Sequence, residues 1–214
     1  MPDVEIVSVS RRGRPKGLEA GTWADQVQWA EGDALDTERP WRSLLEGDDV
    51  GVVSTLGAFG STEKMYRTCG VANMELIRAA KEAGVRRFAF ISVHDFRFPN
   101  FLLKGYFQGK RDAEQELFEQ YPETGVALRP GFIYGSRDVG SGTLPLGIVG
   151  APLGLLLKAL PTRRLADIPI LGAAFVPPTP VDVVGRAAAR AALDPSIPGG
   201  IMDVWSIAEY GKRP

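Results

Sequence analysis

Tyr106 and Lys110, in the run YFQGK, form the sharpest chemical pair in this sequence of 214 residues. Four residues apart on a helix, they share one face, a single turn apart. An ammonium beside a phenol lowers its pKa, so that the tyrosine can give or take a proton near neutral pH. The spacing alone is common, and a surface pair beside a buried aromatic reads the same way. Its surroundings add to it. Ser92 lies near the end of the strand-like run 87–93, fourteen residues before Tyr106. A hydroxyl at the carboxyl end of a strand can meet that tyrosine, and ligands of open parallel sheets bind at that end.

Composition removes other chemistries. His94 is the single histidine and Cys69 the single cysteine, so neither an internal disulfide nor a cysteine- or histidine-rich metal centre is expected. With 25 basic and 26 acidic residues the net charge is −1, which argues against a protein that coats nucleic acid. No charged leader followed by an apolar run opens the chain, so taken alone it reads as cytoplasmic. The most membrane-like stretch, 143–161, is broken by Pro145, Pro152, three glycines and Lys158. It reads as a core or substrate-side helix, with peripheral membrane contact as the alternative.

The elements that would position the pair alternate along the chain. Strands are expected at 4–9, 27–29, 50–55, 87–93 and 126–129, with helices at 39–46, 63–83, 104–120 and 181–193. On helix 63–83 the apolar face is predicted to carry Met65, Cys69, Ala72, Leu76, Ala79, Ala80 and Ala83. Short, nearly all-apolar strands separated by helices imply an α/β fold, a parallel sheet covered on both faces. Residues 1–135 would form the nucleotide-binding part. Residues 136–214 would form a small substrate-side lobe packed on it.

Three runs carry a family likeness: NMELIRAAKEAGVRRFAFISV, YFQGKRDAEQELFE and VALRPGFIYGSR. Together they resemble the extended and atypical short-chain dehydrogenase/reductase superfamily. Within it they are most similar to the branch of the complex I 39-kDa-subunit type, which has chloroplast and mitochondrial quinone-associated relatives. The resemblance implies a Rossmann-like fold, NADP or NAD as cofactor, and a small-molecule substrate, with a prenylquinone as one candidate. It also implies an organellar setting.

Carried over by residue, the resemblance makes Tyr106 the acid and Ser92 the group that polarises a carbonyl. Lys110 would tune the tyrosine and hold the nicotinamide ribose. EGDALD would set Asp33 and Ala34 beside adenine, and STLGAFG would run Thr55, Leu56 and Gly57 along the cofactor. Pro130 and Gly131 would lie near the nicotinamide. Where the family's second strand ends, an acidic residue selects NAD; here Ser10, Arg11 and Arg12 stand instead, which suits a 2′-phosphate and hence NADP. A solvated basic turn is the alternative.

Two departures accompany the likeness. Relatives carry an asparagine that orders the active-site region where this chain has Cys69, and Asn73 is the alternative carrier of that role. Cys69 itself, with no adjacent histidine, reads as a packed residue rather than a nucleophile. The family also opens with a strand, a glycine-rich turn and a helix whose amides bind pyrophosphate. None of these precedes Val4, so the chain is expected to be N-terminally truncated. GIVGAPLG, at 147–154, has the wrong spacing to replace that turn. The function expected is oxidoreduction of a carbonyl, alcohol or quinone-related substrate. The alternatives are a non-catalytic nucleotide-binding or scaffold protein in quinone biosynthesis or respiratory-complex assembly, and an inactive truncated product.

Overall fold

The computed structural model describes residues 4–36, 38, 40–47, 49–96, 101–138, 143–145, 157, 162–166, 168 and 171–212. Its centre is a four-stranded parallel sheet built from β3 (Gly51–Ser54), β4 (Arg87–Ile91), β5 (Gly125–Leu128) and β10 (Gly200–Met202). The spatial order is β10–β5–β4–β3, and each neighbouring pair runs parallel. A second parallel pair joins β1 (Ile6–Ser10) to β2 (Val27–Glu31). Smaller pairs are β6 (Ile133–Tyr134) with β9 (Thr179–Pro180), and β7 (Ser136–Asp138) with β8 (Thr143–Pro145).

Alternation along the central strands sends side chains to two cores. Phe88 and Phe90 of β4 and Ala127 of β5 pack with Ile77, Ala79 and Ala80 of α2 (Ala72–Glu82) and with Ala113 and Leu117 of α3 (Lys104–Gln120). Ala89, Val126 and Leu128, one residue out of phase, meet Val184, Ala187, Ala188 and Ala191 of α4 (Val181–Leu193). Ile207 of α5 (Val204–Tyr210) joins this second core. The expected parallel α/β sheet with helices on both faces is the fold the chain adopts. The C-terminal residues contribute to that sheet directly: β10 pairs with β5, and α4 packs beneath β4.

The helix expected at 63–83 is continuous but not uniform. After α1 (Thr62–Tyr66), whose N-terminus is capped by the Ser61 side chain, residues Arg67–Val71 form a π-turn. Ala72 N donates there to the Arg67 carbonyl, five residues back. One extra residue per turn rotates everything that follows by about a quarter turn. Asn73 and Ile77 are therefore fully buried, while Leu76, assigned to the apolar face by a straight 3.6-residue period, is only half-buried.

The β1–β2 pair departs from the expected parallel sheet covered on both faces. Among the described residues β1 pairs only with β2, and Ile6, Val7 and Val9 are all exposed, Ile6 to 52%. A close contact ties the pair to the first core. A Cβ on Gly32 would lie 2.8 Å from both Val9 Cγ1 and Trp41 Cβ, so only glycine permits that approach. Trp41 in turn belongs to the core around β4.

The apolar stretch 144–160 lies outside the described residues apart from Leu144, Pro145 and Leu157. Among the described residues no helix is long and apolar enough to cross a membrane.

Candidate functional site

The carboxyl ends of β3, β4 and β5 open into a cavity of about 350 Å³. Ser92, Tyr106 and Lys110 line it together with Thr55, Gly57, Pro130 and Gly131. Seven residues singled out by the sequence thus converge. Leu56 contributes through its backbone rather than as part of the wall. Ser10, Arg11, Arg12, Asp33 and Ala34 lie apart, at the ends of β1 and β2. There Arg11 and Arg12 are exposed on a turn closed by Gly13 N donating to the Ser10 carbonyl. Asp33 holds its own loop, its Oδ1 accepting from Leu35 N and its carbonyl from Trp41 Nε1.

Two glycines explain how α3 aims its chemistry. A Cβ on Gly105 would fall 2.0 Å from the Thr62 carbonyl oxygen, and one on Gly109 would fall 2.7 Å from Gly70 N. At both points α3 touches the neighbouring helix backbone to backbone. Tyr106 and Lys110 each follow one of these glycines, so the crossing directs the pair into the cavity. The sequence reading missed this role, although Gly-x-x-x-Gly in register with Tyr-x-x-x-Lys was its visible signal.

Ser92 is held by pairing that continues past the strand ends. Its N–H donates to the Leu128 carbonyl at 2.7 Å, and His94 N donates to the Pro130 carbonyl at 2.9 Å. The two segments therefore leave the sheet side by side, with Ser92 on one wall and Pro130 and Gly131 on the other.

Lys110 is buried, and its Nζ donates to the Ile91 carbonyl at 2.6 Å and the Leu56 carbonyl at 3.0 Å. The same nitrogen sits 4.6 Å from the centre of the Phe90 ring. Burial brings its pKa down to about 8, against smaller upward pulls from Cys69 and Glu114. Tyr106 moves the other way. Burial, then Cys69, pushes its phenol up to about 12, and the cation that opposes this is Arg111. The expected lowering of the phenol by the neighbouring lysine is therefore not found: the lysine is bound to carbonyls, and desolvation dominates at the tyrosine. Phe59, exposed on the loop after β3, stacks on Tyr106 with centroids 5.2 Å apart and planes at 16°.

Asn73 does the ordering expected of an asparagine in this region. Fully buried, it donates from Nδ2 to the carbonyls of Leu56, Thr68 and Cys69, and its Oδ1 accepts from Ser54 Oγ at 2.6 Å. Cys69 is buried too, its Sγ set against the Ala58 backbone. Among the described residues no group of three or more His, Cys, Asp or Glu is placed to hold a metal.

The cavity's chemistry fits the nicotinamide-ribose end of a dinucleotide. Polar groups from Thr55, Ser92, Tyr106 and Lys110 share it with apolar surface from Ile91, Val93, Pro130 and Ile133, as a flat ring with one polar edge requires. Gly57 keeps space open before the lysine, where a Cβ would lie 3.8 Å from Lys110 Nζ.

Comparison with known proteins agrees. A family profile described as NAD(P)H-binding matches residues 3–143. An uncharacterized chloroplastic protein of Arabidopsis thaliana, At1g32220, is 43% identical over 213 residues, covering 98% of this chain and 70% of the relative. The mitochondrial protein fmp52 of Aspergillus niger is 28% identical over 220 residues, covering 97% of this chain and 87% of its own length. In fold, the chain is similar to a UDP-glucuronic acid 4-epimerase from Bacillus cereus in complex with NAD. That likeness has a TM-score of 0.57 at 17% identity and covers 93% of this chain and 69% of the epimerase. An α/β sheet of this kind, a cavity at its carboxyl edge and these relatives lead to one assignment: the chain belongs to the NAD(P)H-binding family and takes NAD(P) as its cofactor.

Proposed function

We propose that this protein is an NADP-dependent oxidoreductase of the short-chain dehydrogenase/reductase type, acting on a carbonyl, alcohol or quinone-related ring. The convergence of Ser92, Tyr106 and Lys110 in one cavity is the observation that carries the reading. Bound NADP(H) supplies or accepts the hydride. Ser92 would donate a hydrogen bond that polarises the substrate carbonyl, and Tyr106 would deliver the one proton that converts an alkoxide to an alcohol. A phenol pushed up to about 12 stays protonated at neutral pH, which suits the direction of reduction. Lys110 gives two N–H bonds to the Leu56 and Ile91 carbonyls and, while charged, keeps a third proton for a ribose hydroxyl. The exposed Arg11 and Arg12 would meet a 2′-phosphate at the end of β1.

Relatives named chloroplastic and mitochondrial support an organellar setting, and the complex I 39-kDa-subunit type of branch suits that setting. A prenylated quinone is the substrate class proposed, with peripheral membrane contact through the apolar stretch 144–160. A second reading is a nucleotide-binding protein without turnover, acting in quinone metabolism or respiratory-complex assembly. It is favoured by Cys69 at the position of an expected asparagine and by a lysine whose bonds go to two carbonyls.

Reduction of menadione by NADPH, with calorimetric titration of NADP and NAD, separates these readings. Turnover that disappears in Tyr106→Phe while cofactor affinity holds supports the oxidoreductase. Cofactor binding without turnover on quinones, aldehydes or ketones leaves the second reading. Equal NADP/NAD preference before and after replacing both arginines with alanine removes the phosphate role of the turn.

A further inference from the structure

Lys110 gives two N–H bonds to carbonyls. Arg111, the next residue on α3, is a second cation and lies against Ser92. Its Nη2 donates to the Val93 carbonyl at 3.0 Å and its Nη1 to Glu114 Oε1 at 2.6 Å. The same Nη1 lies 3.5 Å from Ser92 Oγ, at the long end of hydrogen bonding. Glu114 is buried and fixed from its other side by Arg129, whose Nε and Nη2 donate to it at 2.9 and 2.5 Å. The guanidinium is thus clamped by a backbone carbonyl and a braced carboxylate, and the Nη1 bonded to Glu114 also faces the serine.

We propose that Arg111 is a positioning residue that orients the Ser92 hydroxyl, a role that rests on the oxidoreductase reading of that serine. A serine hydroxyl has one proton to donate and two lone pairs that accept. Its usefulness to a substrate carbonyl depends on where that proton points. A neighbouring acceptor would capture the proton. A guanidinium only donates, so it occupies a lone pair, leaves the proton for the cavity and polarises the O–H bond further. Arginine also stays charged at every working pH, unlike the buried lysine beside it.

The test is a double-mutant cycle on turnover with menadione and NADPH. If Arg111 acts through Ser92, Arg111→Met costs turnover in the wild-type background and little more in Ser92→Ala. Full additivity of the two losses removes the serine role. Arg111→Lys, which keeps the charge and the donors, is expected to restore most of the loss of Arg111→Met, and no recovery overturns the proposal. A wild type without turnover sinks the oxidoreductase reading and the role that rests on it, whereas additivity in an active wild type sinks the role of Arg111 alone.

Discussion

Asn73 and Lys110 donate to the same oxygen, the carbonyl of Leu56, at 3.3 and 3.0 Å. One side chain comes from α2 and the other from α3, and their shared acceptor lies on the loop after β3. The loop that lines the cavity is thereby tied to both helices at one atom. Asn73 also accepts from Ser54 Oγ and donates to two carbonyls of the π-turn, so it fastens strand end, loop and helix together.

Replacing Asn73 with leucine should therefore cost more than an ordinary core change. It strands the Ser54 hydroxyl and frees three carbonyls from one donor, for a loss of about 2–4 kcal/mol in unfolding free energy. Cofactor affinity should fall as well, because Lys110 loses the fixed position of one of its two acceptors. Denaturant unfolding and NADP titration check this pair of effects. A stable variant with unaltered affinity would show that the loop is held by something else.

Gly70 and Gly109 give a second prediction. A Cβ on Gly70 would sit 2.9 Å from Gly109 Cα, and one on Gly109 would sit 2.7 Å from Gly70 N, so the clash is with backbone at either site. Gly109→Ala gains about 1 kcal/mol in helix propensity but must push two helices apart, and overpacking of this kind costs about 1–3 kcal/mol. The displacement also moves Lys110, the next residue. Turnover and cofactor binding should fall further than the melting temperature alone accounts for. Gly185→Ala, where an added Cβ meets nothing within 4 Å, is the control and should be neutral or stabilising.

Much of this arrangement could be read from residue types because period and position agreed. The helices 104–120 and 181–193 coincide with α3 and α4, since their apolar spacing is regular and no π-turn interrupts them. Ser92, Tyr106 and Lys110 meet because a strand end and one helical face bring them together, which the spacing already implied. The π-turn was not legible: nothing in RTCGV distinguishes a five-residue turn from a four-residue one, and the choice is made by the close contact with Gly109. A straight 3.6-residue period therefore puts Leu76 on the apolar face in place of Asn73 and Ile77. The titration of Tyr106 is illegible in the sequence for a similar reason. Adjacency on a helix fixes which face a lysine shares, but not which acceptors its four-carbon stem reaches. The strand β10 went unread because three residues, GIM, carry no period.

His94, the single histidine, allows a direct electrostatic test. Burial lowers its pKa below the usual 6.5. Asp95 and Asp203 pull it up, and Arg111 and Arg129 push it further down. A group with a depressed folded pKa contributes stability that is lost as pH falls through that value. The sole imidazole resonance should accordingly titrate below pH 6.5. Unfolding free energy should decline on acidification below neutrality more steeply in the wild type than in His94→Gln. Arg111→Met should raise the imidazole midpoint. A midpoint at or above 6.5 would mean that the ring is solvated, contrary to its packing against Phe96 and Trp205.

Lys110 makes the opposite side of the pH scale informative. Its pKa is brought down from 10.5 to about 8 by burial, while in the unfolded chain it returns to the ordinary lysine value. Below pH 8 both states carry the proton, and the group imposes no pH dependence. Between pH 8 and 10.5 the unfolded chain binds more protons than the folded one, so unfolding free energy rises with pH. The neutral amine loses little in the folded state, since its two remaining protons match the carbonyls of Leu56 and Ile91. Tyr106 and Tyr121, both raised by burial, weaken the fold only above pH 10 and leave this window clear. The difference in unfolding free energy between wild type and Lys110→Met, measured by urea titration of ligand-free protein, should therefore shift toward the wild type by about 2 kcal/mol from pH 8 to pH 10. Taking the difference cancels groups the two proteins share. A difference that stays constant across the window would mean that the lysine is charged and solvated in the folded chain, and that its bonds to the two carbonyls do not persist in solution.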